Sequence, residues 1–294
     1  MGKFFKIILV IFVVFLLISI LGGINKLVSS ADEDDIKSAN IGVIEVKGVI
    51  TDSFPVLEQI REFKKNSQLK ALVVRINSPG GAVGASQEIF MELKKLRPTY
   101  PVIVSMGDLA ASGGLYVSLG GETVFALPGT LTGSMGVLLE LTNFARLLDK
   151  IYIDSVTIRT GDLKDAGNPT RPLDPKAKKY FETLIQQTFN SFKESVKTER
   201  KVSAETIQLL SDGRVVDGNE ALKLGLVDKI GTFQDAVSFA KEKAKISGDP
   251  KLTFLSRKPK GLFERVLEGA VAPIHDLVKE SSSVLQYKWS PFGH

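Results

Sequence analysis

Three glycine-rich stretches each follow directly on a β-branched run, and this repeated pairing narrows the possible folds more than any other feature of the chain. "NSPGGAVGA" (77–85) follows "ALVVRI" (71–76), "GDLAASGG" (107–114) follows "PVIVSM" (101–106), and "GTLTGSMGV" (129–137) follows "TVFAL" (123–127) almost at once. Further strand-like runs, "IGVIEVKG" (41–48) and "DSVTI" (154–158), flank them, and helical patterns fall at about 55–66, 83–96, 111–119 and 142–150. Strands alternating with helices predict an α/β domain with a largely parallel sheet. Ligands bind such sheets beyond the carboxyl ends of the strands, so the three glycine loops are expected to meet at one site.

The second half reads as mostly helical. Asp174 followed by Pro175 marks the start of a long helix over about 175–200, and Ser203 starts another over about 203–211. "RVVDGNEALKLGLVDKIG" (214–231) predicts a short strand, a helix closed by Gly225 and another short strand, and the last domain helix is expected over about 232–246. The segment 247–294 is richer in Pro, Lys and Ser. Within it Phe263, Val266, Leu267, Ala270 and Val271 follow helical spacing, which predicts an amphipathic surface or partner-packing helix.

The N-terminus has a different character. Lys3 and Lys6 precede 18 residues without a charge, Ile7 to Ile24. A helix of that length reaches about 27 Å, close to the hydrocarbon thickness of a bilayer. It is long for the apolar core of a cleaved signal, although "VSSA" (28–31) offers a small-residue cleavage site. The lysines before the run and "ADEDD" (31–35) after it predict a cytoplasmic N-terminus and a domain beyond the membrane. The expected organisation is a signal-anchor helix over 1–27, a linker over 28–40, a main domain over 41–246 and a tail over 247–294.

Inventory limits the chemistry. The chain has no cysteine, and its two histidines, His275 and His294, both lie in the last 20 of 294 residues. Thiol nucleophiles, disulfides, thiolate metal sites and a histidine triad in the main domain are thereby excluded. Net charge is +5, with no long basic run interleaved with aromatics, so nothing points to nucleic acid. No P-loop sequence is present, and the spacing of Gly80, Gly81 and Gly84 is not the dinucleotide fingerprint. No cofactor or metal is expected.

What these loops can do is bind an anion on bare backbone N–H groups, either a phosphate or the oxyanion of an acyl-transfer intermediate. Ser112 is flanked by small residues, which would let a substrate backbone approach, and the Gly113 N–H would lie beside a tetrahedral intermediate on it. With histidine excluded, the base for such a serine is a carboxylate or a lysine. Asp108 is near in sequence but fits better as a turn residue or helix N-cap. A lysine is ordinarily a cation at neutral pH, and burial can make it a neutral proton acceptor. Lys164, in the turn-rich segment 159–173, and Ser134, in "TGSMG", are available, and each on its own would read as an ordinary surface residue.

"NSPGG", "ASGG" before an apolar run, "TLTGSMGV", "GDLKDAGNPTR" and "DGRVVDGNEALKLGLVDKIG" occur in this order. Together they resemble bacterial signal peptide peptidases of the SppA type in their short, single-unit form, over roughly 41–245. The resemblance implies a crotonase-like (Clp protease-like) spiral of ββα units and a serine endopeptidase with a Ser/Lys dyad. Ser112 matches the nucleophile, Lys164 the general base and Ser134 the residue that holds the lysine. Gly113 with Gly80 or Gly81 matches the oxyanion hole, Gly80 being the preferred choice. It also implies membrane anchoring, an extracytoplasmic catalytic domain, ring-like homo-oligomers, and cleaved signal peptides and other apolar peptides as substrates. Two positions depart from the pattern: Leu115 replaces a common aromatic, and Asp162-Leu163 replaces a basic-aromatic pair before Lys164. The rival readings are a crotonase-like thioester enzyme and a non-catalytic membrane assembly protein of the same fold.

Overall fold

The computed structural model describes residues 38–255 and 286–288. The expected membrane anchor, most of the linker and the amphipathic helix around 263–271 lie outside the described residues. Among the described residues no helix is long and apolar enough to cross a membrane.

Strands β1 (Ile41–Lys47), β2 (Ala71–Ser78) and β4 (Val102–Ala111) form the parallel centre of the main sheet. Alternation along them explains why all three are apolar nearly throughout. Ile44, Val46, Leu72, Val74, Ile76, Val102 and Val104 face one core, and Ile41, Ala71, Val73 and Ile103 face the other. A sheet buried on both faces needs apolar residues at both phases of the pleat. The larger core is covered by α1 (Phe54–Lys64), α2 (Val83–Leu96), α3 (Gly113–Ser118) and α5 (Pro175–Arg200). The smaller is covered by α8 (Phe233–Lys243) through Ala236, Val237 and Ala240.

β5 (Thr123–Ala126) pairs with the first half of β4, and β6 (Leu131–Gly133) with its second half. Between the halves the register against β2 slips, from Ile76 opposite Met106 to Ser78 opposite Ala110. Side chains satisfy the backbone freed by this bulge. Leu109 N–H donates to the Asn77 side chain at 3.1 Å, and the Thr130 hydroxyl donates to the Gly107 carbonyl at 2.7 Å. Asp108 therefore lies inside an irregular strand, not at a turn or a helix cap as expected. The bulge bends β4 and carries its end, Ala111, to the edge where Ser112 begins α3.

The remaining elements are α4 (Ala145–Lys150), α6 (Ala204–Leu210), β7 (Val215–Val216), α7 (Gly218–Lys223), β8 (Lys229–Ile230) and β9 (Leu252–Phe254). The expected caps form: Asp174 accepts from Lys176 N–H and Ser203 from Thr206 N–H. β9 pairs in parallel with β1, so the main sheet takes in residues beyond 246. The expected strand over 154–158 is absent. Val156 and Ile158 are 85% and 97% exposed, and among the described residues this segment pairs with no strand.

One ion-pair cluster ties the helix behind Ser112 in place. Arg97, just after α2, donates to the carbonyls of Leu119, Gly120 and Gly121 beyond the end of α3. It also pairs with Glu199 of α5 at 2.7 Å, which Lys94 meets at 2.6 Å. Burial pushes the Glu199 carboxyl up, but the hydrogen bonds and charges of Lys94 and Arg97 outweigh it and hold the group below its ordinary value. This contribution is therefore present at neutral pH and lost as acid titrates Glu199 through its lowered value. Arg97→Ala is expected to cost about 3 kcal/mol, since it leaves the nearly buried Glu199 carboxylate with Lys94 alone and strands three carbonyls. Urea unfolding at pH 7 measures it, and the deficit should shrink toward pH 3.

Candidate active site

Ser112 joins β4 to α3 as a sharp elbow with φ +54° and ψ −112°, a conformation that L-residues with side chains rarely adopt. The surroundings hold it there. Ser112 N–H donates to the Gly133 carbonyl at 2.9 Å, and the Ser112 carbonyl accepts from Tyr116 N–H at 2.9 Å. Gly133 and Ser134 also have positive φ, and Ser134 N–H donates to the Arg214 carbonyl at 2.7 Å. Two of the three glycine loops thus meet through a hydrogen bond at Ser112.

The third loop closes on the same point. β3 (Gly80–Ala82) runs past Gly113 so closely that side chains are excluded on both. A Cβ built on Gly80, whose φ is +99°, would lie 2.6 Å from the Gly113 nitrogen. One built on Gly113 would lie 3.1 Å from the Gly81 nitrogen and 2.6 Å from the Ser86 hydroxyl. Backbone N–H groups of the two loops therefore converge beside the serine. The Gly80 N–H, however, donates to the Ser78 hydroxyl at 3.1 Å.

A cavity of about 380 Å³ opens in front of Ser112 and is also lined by Ser134, Met135, Val137, Leu138 and Phe189. Among the described residues, its one ionisable lining residue is Asp212. The Arg214 guanidinium holds this carboxyl down to about 2, which makes it a poor proton acceptor. Ser112 and Ser134 thus share one cavity as the sequence places them, but Lys164 is not among its lining residues. Lys164 is exposed, in the turn 161–167. That turn is braced by Asp165, which pairs with Arg171 at 3.0 Å and Arg159 at 3.1 Å.

Several residues of the site had no clear signal in the sequence. Tyr116 stacks on Tyr287, meets Phe90 edge-on and Phe192 at a tilt, in one aromatic cluster beside the glycine loops. Phe192 reads in sequence as one more apolar position on a long helix, and Tyr287 as one of three aromatics near the end of the tail, with Trp289 and Phe292. Leu115, the departure expected to affect substrate preference, is fully buried in the core.

A family model described as Clp protease matches residues 39–132, the part that builds the central sheet and the serine elbow. The chain thus has a Clp protease-like α/β fold. A second model, peptidase family S49, matches residues 94–247. A Synechocystis sp. protein named "Putative protease slr0021" is 35% identical over 254 residues, covering 86% of this chain and 91% of that one. An Enterococcus faecium protein named "Putative signal peptide peptidase SppA" is 30% identical, covering 76% and 70%. "Serine protease SPPA, chloroplastic" of Arabidopsis thaliana is 33% identical, covering 78% of this chain but 34% of its own. The chain belongs to peptidase family S49. It is a serine peptidase of the SppA type, as the ordered motifs implied, and not a thioester enzyme.

Proposed function

We propose that Ser112 is the nucleophile of a membrane-anchored endopeptidase and that Lys164 of a neighbouring copy of the chain is its base. The observation that carries the nucleophile is the strained elbow at Ser112, set against the converging N–H groups of Gly113 and the β3 glycines. Supply of the base from a second copy rests on two facts. The cavity's own ionisable group is a carboxylate neutralised by Arg214, and Lys164 is solvent-exposed in its own protomer. The segment before Lys164 also bares Leu147, Ile151, Ile153, Val156 and Ile158, an apolar surface suited to a symmetric ring contact.

In this reading the Lys164 amine takes the Ser112 proton as Oγ attacks the peptide carbonyl. Ser134, beside Ser112 on the cavity wall, orients the lysine. The oxyanion is held by Gly113 N–H with Gly81 N–H; Gly80 serves less well, because its N–H already bonds Ser78. The intermediate collapses, and the Lys164 ammonium protonates the departing amine. Lys164 then deprotonates a water, which hydrolyses the acyl ester and frees Ser112. Apolar peptides, remnant signal peptides among them, suit a cavity walled by Met135, Val137, Leu138 and Phe189. The uncharged run Ile7–Ile24 would hold the domain against the outer face of the membrane, where such peptides are left.

A serine-directed phosphonofluoridate tests the assignment. Peptide mapping by mass spectrometry is expected to find the adduct on Ser112 alone; modification of another serine with Ser112 untouched would overturn it.

A further inference from the structure

A lysine that is to take a proton from Ser112 must first give up its own, and a carboxylate beside its ammonium opposes that. Three aspartates are placed to do so. Asp162 and Asp165 flank Lys164 within its turn, and Asp212 lines the Ser112 cavity that the amine has to enter. Each of the three is already held by a cation. Lys176 meets Asp162 at 2.8 Å. Arg171 meets Asp165 at 3.0 and 3.2 Å, and Arg159 meets it at 3.1 Å. Arg214 forks on Asp212, with Nε 2.9 and 3.0 Å from the two carboxylate oxygens and Nη2 at 2.6 Å from one of them. Hydrogen bonds from Lys176, Arg171 and Arg214 hold the three carboxyls below their ordinary values, so all stay ionised wherever a lysine titrates. None is silenced by its own protonation.

The pair in the cavity is built into the site. Asp212 and Arg214 stand on the turn before β7, with Gly213 between them at φ +83°, and Arg214 N–H also donates to the Asp212 carboxylate at 3.0 Å. The Arg214 carbonyl accepts from Ser134 N–H, and the Gly133 carbonyl next to it accepts from Ser112 N–H. Main-chain bonds thus tie the ion pair to the loop that holds the nucleophile. The other walls bring little charge to this point. Met135 to Leu138 are uncharged, with Glu140 beyond them. The wall from α5 is Ile185 and Phe189, where Lys193 lies over the Phe189 ring at 4.7 Å and Glu182, one turn before Ile185, pairs with Lys178 at 3.8 Å. The segment after α6 adds Ser211. We propose that Arg214 is a positioning residue of the peptidase site: by occupying Asp212 it keeps this carboxylate from pairing with the base lysine and leaves the amine free for Ser112. This rests on Lys164 being the base at Ser112.

Arg214→Gln bares a negative charge beside the lysine and favours its ammonium, so the rising limb of kcat/KM against pH is expected to move up by about one unit. Below that limb the rate falls about tenfold, and above it the wild-type rate returns. Asp212→Asn leaves the Arg214 charge uncovered and moves the limb down instead. The double variant, with neither charge, and Arg214→Lys, with a cation kept, should both restore the wild-type position. The full chain is assayed in detergent with a short apolar chromogenic peptide from about pH 5 to about pH 10, with a melting curve for each variant. A merely structural role predicts a loss of the same factor at every pH, and an unmoved limb in Arg214→Gln or in Asp212→Asn would overturn the proposal. Should Arg214→Gln fail to fold, the nearly isosteric Asp212→Asn decides by itself. The base is judged separately: an active Lys164→Ala protein with the wild-type limb removes the lysine, whereas an inactive one beside unmoved limbs removes only the part given to Arg214.

Discussion

Ser112→Ala is expected to lower kcat for any peptide substrate by at least about 10⁴-fold while leaving the fold intact. The size follows from what the hydroxyl does: without it no acyl-enzyme forms, and only the backbone donors and the binding groove act on direct attack by water. The elbow should survive the change. Ser112 is held by its N–H to Gly133 and its carbonyl to Tyr116, both main-chain bonds that alanine keeps. The positive φ adds a small cost for alanine as it does for serine. Stopped and continuous peptide assays with a matched melting curve measure this. Residual activity within about tenfold of wild type would remove Ser112 from the chemistry.

Lys164→Ala is expected to be as damaging, and its behaviour in mixtures is the sharper result. The variant alone and Ser112→Ala alone should each be inactive. If the base comes from a neighbouring copy, a mixed assembly contains sites with an intact Ser112 from one variant and an intact Lys164 from the other. Random mixing in equal amounts then restores about a quarter of the wild-type sites. A dyad contained within one chain restores none, because each chain lacks one member. Co-expression of the two variants, followed by a peptide assay on the purified assembly, separates the cases. Activity of the Lys164→Ala protein alone would dismiss lysine as the base.

Much of the fold is legible in the chain because its strong signals are local. β1, β2 and the first half of β4 stand out, since a strand buried on both faces carries apolar, largely β-branched residues at both phases of the pleat. α2 and α5 appear at their observed limits because of helical spacing and, for α5, the Asp174-Pro175 start. The signals fail where pairing is decided elsewhere. Residues 154–158 have strand composition, yet among the described residues they pair with no strand. Gly107 to Ala111 have poor strand composition, yet they extend β4 because Asn77 and Thr130 satisfy the bulge and β6 supplies an edge. β10 (Gln286–Lys288) lies more than 200 residues from β3, the strand it joins, and nothing in "QYK" announces that partner.

The candidate site divides along the same line. Composition alone removes cysteine and a histidine partner, and the small residues around Ser112 and Gly113 mark an acyl-transfer loop. Ser134 and Lys164 come forward only through the family resemblance that the ordered motifs carry. Packing settles other matters: the Gly80 N–H is spent on Ser78, Asp212 is neutralised by Arg214, Lys164 stands away from the Ser112 cavity of its own protomer, and Tyr287 joins the aromatic cluster around Tyr116. Each depends on which distant groups come within about 3 to 5 Å of one another. That choice is made by the whole folded chain, through shape, hydrogen-bond satisfaction and burial, and no local stretch encodes it.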